Sequence, residues 1–194
     1  MNNKDVRNSI IESATTFFSK FGFQKTTMDE IAKNLHKAKG VLYYYFKSKE
    51  ELYSEVLRKE LDEVRLELSK IINSDTSSLK KMESYFLMRF KLLNRATHYH
   101  ETLRADFFEK YHFVTDVRDD FMDFERKQLS FIINKGKDEG YLQISDINRT
   151  VNTILMIING IELPLFLQNK YEEYEETFNE LSTIIVEGIR NQKK

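Results

Sequence analysis

An all-α fold is predicted by three features of this 194-residue chain: apolar residues recur at helical spacing almost throughout, only one proline and six glycines interrupt them, and no useful stretch alternates as a strand would. Hydrophobic residues make up 41% and charged residues 31%, a globular balance that can fill a core. With no cysteine, neither a disulfide framework nor a thiolate metal site is expected. The N-terminal MNNKDVRNS lacks the apolar core of a signal peptide. The apolar stretch Val151 to Leu167 is interrupted by Asn152, Asn159, Glu162 and Pro164 and reads as too short for a bilayer span, which takes roughly 20 apolar residues. A cytoplasmic protein with no membrane partner is expected.

The elements follow in order. Ile10, Ala14, Phe17, Phe18 and Phe21 form a first stripe, which Gly22 can end in a left-handed cap. Thr27-Met-Asp-Glu30 reads as a capping box opening a short helix with Met28, Ile31, Ala32 and Leu35 on one face. A second short helix runs from about Lys39 to Phe46. Ser48-Lys-Glu-Glu51 is another capping box. It starts a long helix with the stripe Leu52, Val56, Leu61, Val64, Leu68 and Ile71. Further helices are expected near 79–98, 101–113, 115–139, 146–170 and 173–190. The domains are read as 1–47, a small head, and 48–194, a larger helical body, joined through the continuous helix that starts at Ser48.

Charge is unevenly spread although the net charge is −1. Residues 1–49 carry nine Lys/Arg against four Asp/Glu, and the remainder carries 21 against 27. A basic head on an acidic body is what one end meeting a polyanion requires. In that head, a capped helix, a four-residue turn and a second short helix make a helix-turn-helix, which puts its second helix into the DNA major groove. At 100° per residue, Leu42, Tyr45 and Phe46 form the packing side of that helix, and Gly40, Tyr43, Tyr44 and Lys47 the other. Gly40 lets a phosphate or base edge approach the backbone, and the tyrosines offer hydroxyls to phosphate and ring faces to sugar or thymine methyl. Lys37, Lys39, Lys47 and Lys49 stand in a stretch without an acid, and Lys49 lies in the first turn of the long helix, whose amides attract phosphate. Taken singly, a tyrosine run is ordinary core and scattered lysines a solvated face; their coincidence behind two capping boxes favours DNA.

The pattern Ala14, Phe17, Gly22, then TT-M-x-E-IA, then KGVLYYYFKSKEEL resembles the DNA-binding head of the TetR family of transcriptional regulators, in detail over residues 8–57 and in helix number and length beyond. The resemblance implies a three-helix head and a dimeric body that binds a small molecule and controls DNA release. It implies that Thr27 and Lys49 hold phosphates and that Lys39, Gly40, Tyr43, Tyr44 and Tyr45 meet the operator. The chain departs from the family at the turn, commonly Ala-Gly-Val-Ser, where Leu35-His36-Lys37-Ala38 stands. If the turn keeps its shape, His36 occupies a conformation glycine adopts more cheaply, Lys37 adds a phosphate-seeking charge, and Ala38 removes a hydroxyl cap.

The stretch from Tyr85 to Phe131 is crowded with aromatics, most of which read as core. The family resemblance implies a pocket among the helices, with Phe86, Phe90, Phe107, Phe108, Tyr111, Phe121 and Phe124 as candidates and a hydrophobic or aromatic effector. The 146–170 helix is apolar all round in its centre, so it must be buried on both sides. With the last helix it suggests a two-fold four-helix interface between two copies, carried by Ile154, Ile158, Ile161, Leu165, Leu181, Ile184 and Ile185.

Rival readings are thinner. Glu109-x-x-His112 is half of a bundle di-metal site, and no other histidine has a glutamate at minus three. No metal, cofactor or catalytic activity is therefore expected. A ligand-independent architectural DNA-binding protein would share the basic head but need no cavity. The expectation is a homodimeric, ligand-responsive repressor on double-stranded operator DNA, its 39–46 helices entering major grooves ~34–36 Å apart.

Overall fold

The computed structural model describes residues 3–104, 111–168 and 170–191. The described residues are helical with no strand; an isolated bridge pairs Leu142 with Arg190.

Helix α1 (Asn3–Lys25) is two helical stretches joined across a kink at Gly22, whose φ of 77° and ψ of 166° only glycine adopts cheaply. The chain breaks where the sequence indicates, at a positive φ whose ψ lies far from that of a left-handed helical cap. Helix α2 (Met28–Asn34) opens on a complete capping box: the Thr27 hydroxyl accepts from the Glu30 N–H at 3.3 Å, and Glu30 Oε2 accepts from the Thr27 N–H at 2.9 Å. The turn that follows closes with His36 at a φ of 50°, the only positive φ at a non-glycine among the described residues. Helix α3 (Lys39–Tyr45) starts at Ala38, which is extended and supplies no side-chain cap. Ala38→Ser therefore should stabilise the protein by about 1 kcal/mol, read as a raised denaturation midpoint with an unchanged slope.

Helix α4 (Lys49–Ile72) begins behind Ser48, whose hydroxyl accepts from the Glu51 N–H at 3.1 Å. The Glu51 carboxylate accepts from the Lys47 N–H at 2.6 Å, one residue before the expected partner. Helix α5 (Ser78–Leu93) stops five residues earlier than expected, because the Arg95 and Ala96 amides turn back to the Leu92 and Leu93 carbonyls. Helix α6 (Thr97–Thr102) follows. The helix expected over 101–113 is not continuous: α6 ends at Thr102 and a 3₁₀ turn occupies His112–Val114, with 105–110 outside the described residues. Helices α7 (Thr115–Asp138), α8 (Ile147–Leu167) and α9 (Tyr171–Gly188) complete the chain. Asp146 caps α8, accepting from the Arg149 N–H at 2.9 Å. Helix α8 is long and apolar enough to cross a membrane by length and composition alone, contrary to the sequence estimate. Within the fold, however, Val151, Ile154, Leu155 and Ile158 are core residues.

The chain forms two compact units, and their limits differ from 1–47 and 48–194. One is residues 1–62 with 97–118; the other is 63–96 with 119–194. The first unit extends past residue 47 because Tyr53 and Glu60 of α4, and all of α6, hydrogen-bond and pack with one another and with α1. Its core is Ile10, Ala14, Phe18, Ile31, Leu42, Phe46 and Leu52, with Phe23, Tyr53 and Phe113 in edge and tilted ring contacts. In the second unit, α5 and α9 pack together around Phe90 and Phe178, whose rings stack at 4.7 Å.

A charged cluster lies in the core of that second unit. Arg89, Glu125 and Glu162 are each no more than 1% exposed. The Arg89 guanidinium grips both oxygens of Glu125, donates to Asn159 Oδ1 at 3.1 Å and pairs with Glu162. Burial, and then the neighbouring Glu162, push the Glu125 carboxyl above its usual range while Arg89 opposes the shift.

Candidate nucleic-acid interface

The helix-turn-helix places α3 with one side in the core and one in solvent. Leu42 and Phe46 are fully buried and Tyr45 is half-buried, so the expected packing side is the observed one. On the opposite side Tyr44 is 75% exposed and Tyr43 41%, unusual for aromatics, and Gly40 and Lys47 are exposed as well. A Cβ built on Gly40 meets nothing within 4 Å, so no packing within the protein requires glycine there. The Tyr44 ring stands edge-on to Tyr45 at 5.0 Å, which braces the outer ring with the inner one. Tyr45 is thereby placed between packing and contact.

The cations divide into two groups. Lys47 is exposed and Lys37, in the turn, is half-buried. Lys39 pairs with Asp29 at 2.7 Å and lies 5.7 Å from the centroid of the Tyr43 ring. Its hydrogen bond to Asp29 raises its pKa, and a phosphate would have to replace that carboxylate.

Two residues carried over from the family have other partners here. The Thr27 hydroxyl donates its one proton to Glu30 at 2.7 Å, so it is committed to the cap of α2. Lys49 was expected to hold phosphate. Instead its ammonium donates to the carbonyls of Phe23 at 2.8 Å, Gln24 at 3.4 Å and Thr26 at 3.0 Å, and sits 4.3 Å from the Phe23 ring centroid. Three donors meet three carbonyls at the end of α1, where a cation is also favoured by the helix dipole. Lys49 is therefore a tie across the head in this structure.

In the body, the pocket candidates are dispersed. Phe86, Phe90 and Phe121 are buried core, and Phe124 is half-buried with its ring 6.2 Å from that of Phe121. Tyr111 belongs to the first unit, against Phe23 at 4.9 Å and Phe113 at 5.7 Å. Phe107 and Phe108 lie outside the described residues. A cavity of about 370 Å³ instead opens between α8 and α9, lined by Ile161, Leu165, Tyr174, Phe178 and Leu181, with Gln168, Lys170 and Thr177 supplying the polar groups. Of the earlier pocket candidates, Phe90 comes near it, through its stack on Phe178.

The dimer candidates also divide. Ile154, Ile158, Leu165 and Ile185 are buried within the protomer, at 9% exposure or less, so they cannot offer a free face. Ile161 and Leu181 line the cavity, and Ile184 is 59% exposed. Midway along α8, Met156 is 70% exposed and Ile157 39%, beside exposed Gly160. The sequence signalled them, in an apolar run too wide for one stripe, without indicating which members face inward.

Residues 10–56 match the family described as "Bacterial regulatory proteins, tetR family". Over 191 residues, 95% of this chain and 98% of the relative, the sequence is 28% identical to the HTH-type transcriptional regulator QacR of Staphylococcus aureus. It is 27% identical over 141 residues to the HTH-type transcriptional repressor KstR2 of Mycobacterium tuberculosis, covering 71% of this chain and 69% of that one. Among solved structures, the transcriptional regulator FadR from Bacillus subtilis in complex with stearoyl-CoA superposes with a TM-score of 0.75 at 17% identity, covering 93% of this chain and 98% of that one.

Proposed function

We propose that this chain, which belongs to the TetR family of transcriptional regulators, is a homodimeric, cytoplasmic, ligand-responsive repressor whose α3 helix enters the major groove of operator DNA. The carrying observation is the solvent-facing side of α3, where Gly40, Tyr43, Tyr44 and Lys47 are all exposed on a helix whose other side is locked by Leu42 and Phe46. A soluble domain has no packing reason to present Tyr44 three-quarters exposed beside a second exposed tyrosine. DNA supplies one: hydroxyl to phosphate, ring face to sugar or thymine methyl. Lys37, Lys39 and Lys47 add sequence-independent attraction that salt weakens. An architectural role without a ligand is less favoured, since the named relatives are regulators and repressors.

The second copy would cover Met156, Ile157, Gly160 and Ile184, joining α8 and α9 into a four-helix two-fold interface. The effector would be small and hydrophobic, taken up in the body, where the cavity between α8 and α9 is mostly apolar. The FadR structure carries stearoyl-CoA, a ligand of that apolar-chain class. Release of DNA requires only that the effector bind the DNA-free state more tightly than the DNA-bound one.

The test is footprinting and anisotropy titration on the DNA upstream of the protein's own gene. Tyr44→Ala should cost about tenfold or more in operator affinity, the size of a lost base-edge or thymine contact, with the dimer unchanged by gel filtration. Wild-type affinity in Tyr44→Ala would remove this face from the interface.

A further inference from the structure

The break in α1 is held from two directions by residues distant in sequence. Gly22 turns the chain out of the helix, and the next amide, that of Phe23, donates to Glu101 Oε1 on α6 at 3.0 Å. The other oxygen of Glu101 accepts from the Tyr53 hydroxyl of α4 at 2.9 Å. A Cβ on Gly22 would stand 3.3 Å from Glu101 Oε1, so the carboxylate lies flush against the break. On the opposite side of the same residue, the Phe23 carbonyl accepts from Lys49, which also takes the Thr26 carbonyl. The residue after Thr26 is Thr27, the cap of α2. The corner from which the helix-turn-helix departs is thus fixed by a carboxylate of α6 at its amide and an ammonium of α4 at its carbonyl.

Helix α6 is itself anchored for this task. The Glu60 carboxylate accepts from the His98 N–H at 3.3 Å and the Tyr99 N–H at 2.9 Å, capping the first turn of α6. His98, 3% exposed, has its Nδ1 3.0 Å from Glu60 and its Nε2 3.2 Å from Ser19 of α1. Glu101 therefore sits on a short helix tied at its start to α4 and along its side to α1.

We propose that Glu101 is a positioning residue for operator binding: by holding the Phe23 amide it sets the angle at which α2 and α3 leave α1. The proposal rests on operator binding by the head as its readout, while the contact itself is read independently at the Phe23 amide. A purely electrostatic role makes the opposite forecast. A carboxylate in a basic DNA-binding head repels phosphate, so removing its charge would tighten binding.

Three variants separate the possibilities. Glu101→Asp keeps the charge and shortens the reach, and should weaken operator binding about tenfold while accelerating hydrogen exchange at the Phe23 amide by a similar factor. Glu101→Gln keeps an acceptor oxygen and loses the charge. It should bind within about threefold of wild type with the Phe23 amide still protected. Tyr53→Phe, which removes a donor to the same carboxylate and little volume, should weaken binding about threefold and serves if Glu101→Asp does not fold. Glu101→Asp that loses Phe23 protection and binds like wild type overturns the proposal, as does tighter binding by Glu101→Gln with no effect of Glu101→Asp. Unchanged affinity in Tyr53→Phe overturns it where the aspartate variant is unfolded. Loss of binding in Tyr44→Ala without loss in Glu101→Asp would leave the α3 interface standing and Glu101 outside it.

Discussion

Arg89→Met should destabilise the protein by about 3–5 kcal/mol, enough to lower its melting temperature by roughly 6–20 °C at ~2–4 °C per kcal/mol for a chain of this size. The guanidinium is the hub of a cluster in which Glu125 and Glu162 are both about 1% exposed. Methionine fills much of the volume but leaves two carboxylates buried without their shared cation. The penalty is then that of uncompensated buried charge rather than of a lost contact. Glu125→Gln is the matching control. One cation facing two carboxylates leaves an excess negative charge, and burial already raises the Glu125 pKa. A neutral amide keeps an acceptor for Arg89 and removes that excess, so its stability at neutral pH should fall within about 1 kcal/mol of wild type or exceed it.

The pH dependence has a definite sign. A carboxyl whose folded pKa is raised binds its proton more tightly in the native state. Its contribution is fully present below the ordinary glutamate range and is lost as pH rises through the raised value. Wild type should therefore lose part of its stability over that interval, and Glu125→Gln should not. Melting curves of the three proteins between acid and neutral pH test this. Equal stability of Arg89→Met and wild type at neutral pH would contradict the buried-charge account.

The head was legible in the sequence because its determinants are local. Gly22, the Thr27–Glu30 box, His36 and Ala38 each act within a few residues, and the structure has the break, the reciprocal cap, the positive φ and the missing cap at those positions. What escaped is what side chains do across long separations. The α5–α6 interruption has no glycine or proline to mark it; α6 starts where Glu60, 38 residues earlier than His98, supplies the cap. The place of Lys49 in a first turn gave no sign that its long side chain reaches carbonyls 23 to 26 residues back. Helix α8 offered too many apolar residues to tell inside from outside. Ile154 and Ile158 face the protomer core while the interleaved Met156 and Ile157 face out, and a stripe read at 100° per residue cannot order them without knowing where α9 packs. Glu162 did carry a signal, since a carboxylate inside an apolar run needs a partner. Its partner Arg89 lies 73 residues away.

Gly40→Ala should move stability and DNA binding in opposite directions. In the protein alone nothing opposes the change: Gly40 is exposed, lies in α3 and would place its new methyl in open space. Alanine is favoured over glycine in helices by up to about 1 kcal/mol, somewhat less in a first turn, so the melting temperature should rise by roughly 1–3 °C. At the operator the same methyl would lie where the helix backbone approaches a phosphate or base edge, and affinity should fall about tenfold or more at matched salt. Opposed signs exclude a general loss of fold as the cause. They also fix the docking angle, because a backbone approach at Gly40 brings the first turn of α3 nearest the DNA, with Tyr43, Tyr44 and Lys47 following along the groove. If Gly40→Ala binds as wild type while Tyr44→Ala does not, the first turn stands off the DNA and the contact is centred on the later tyrosines.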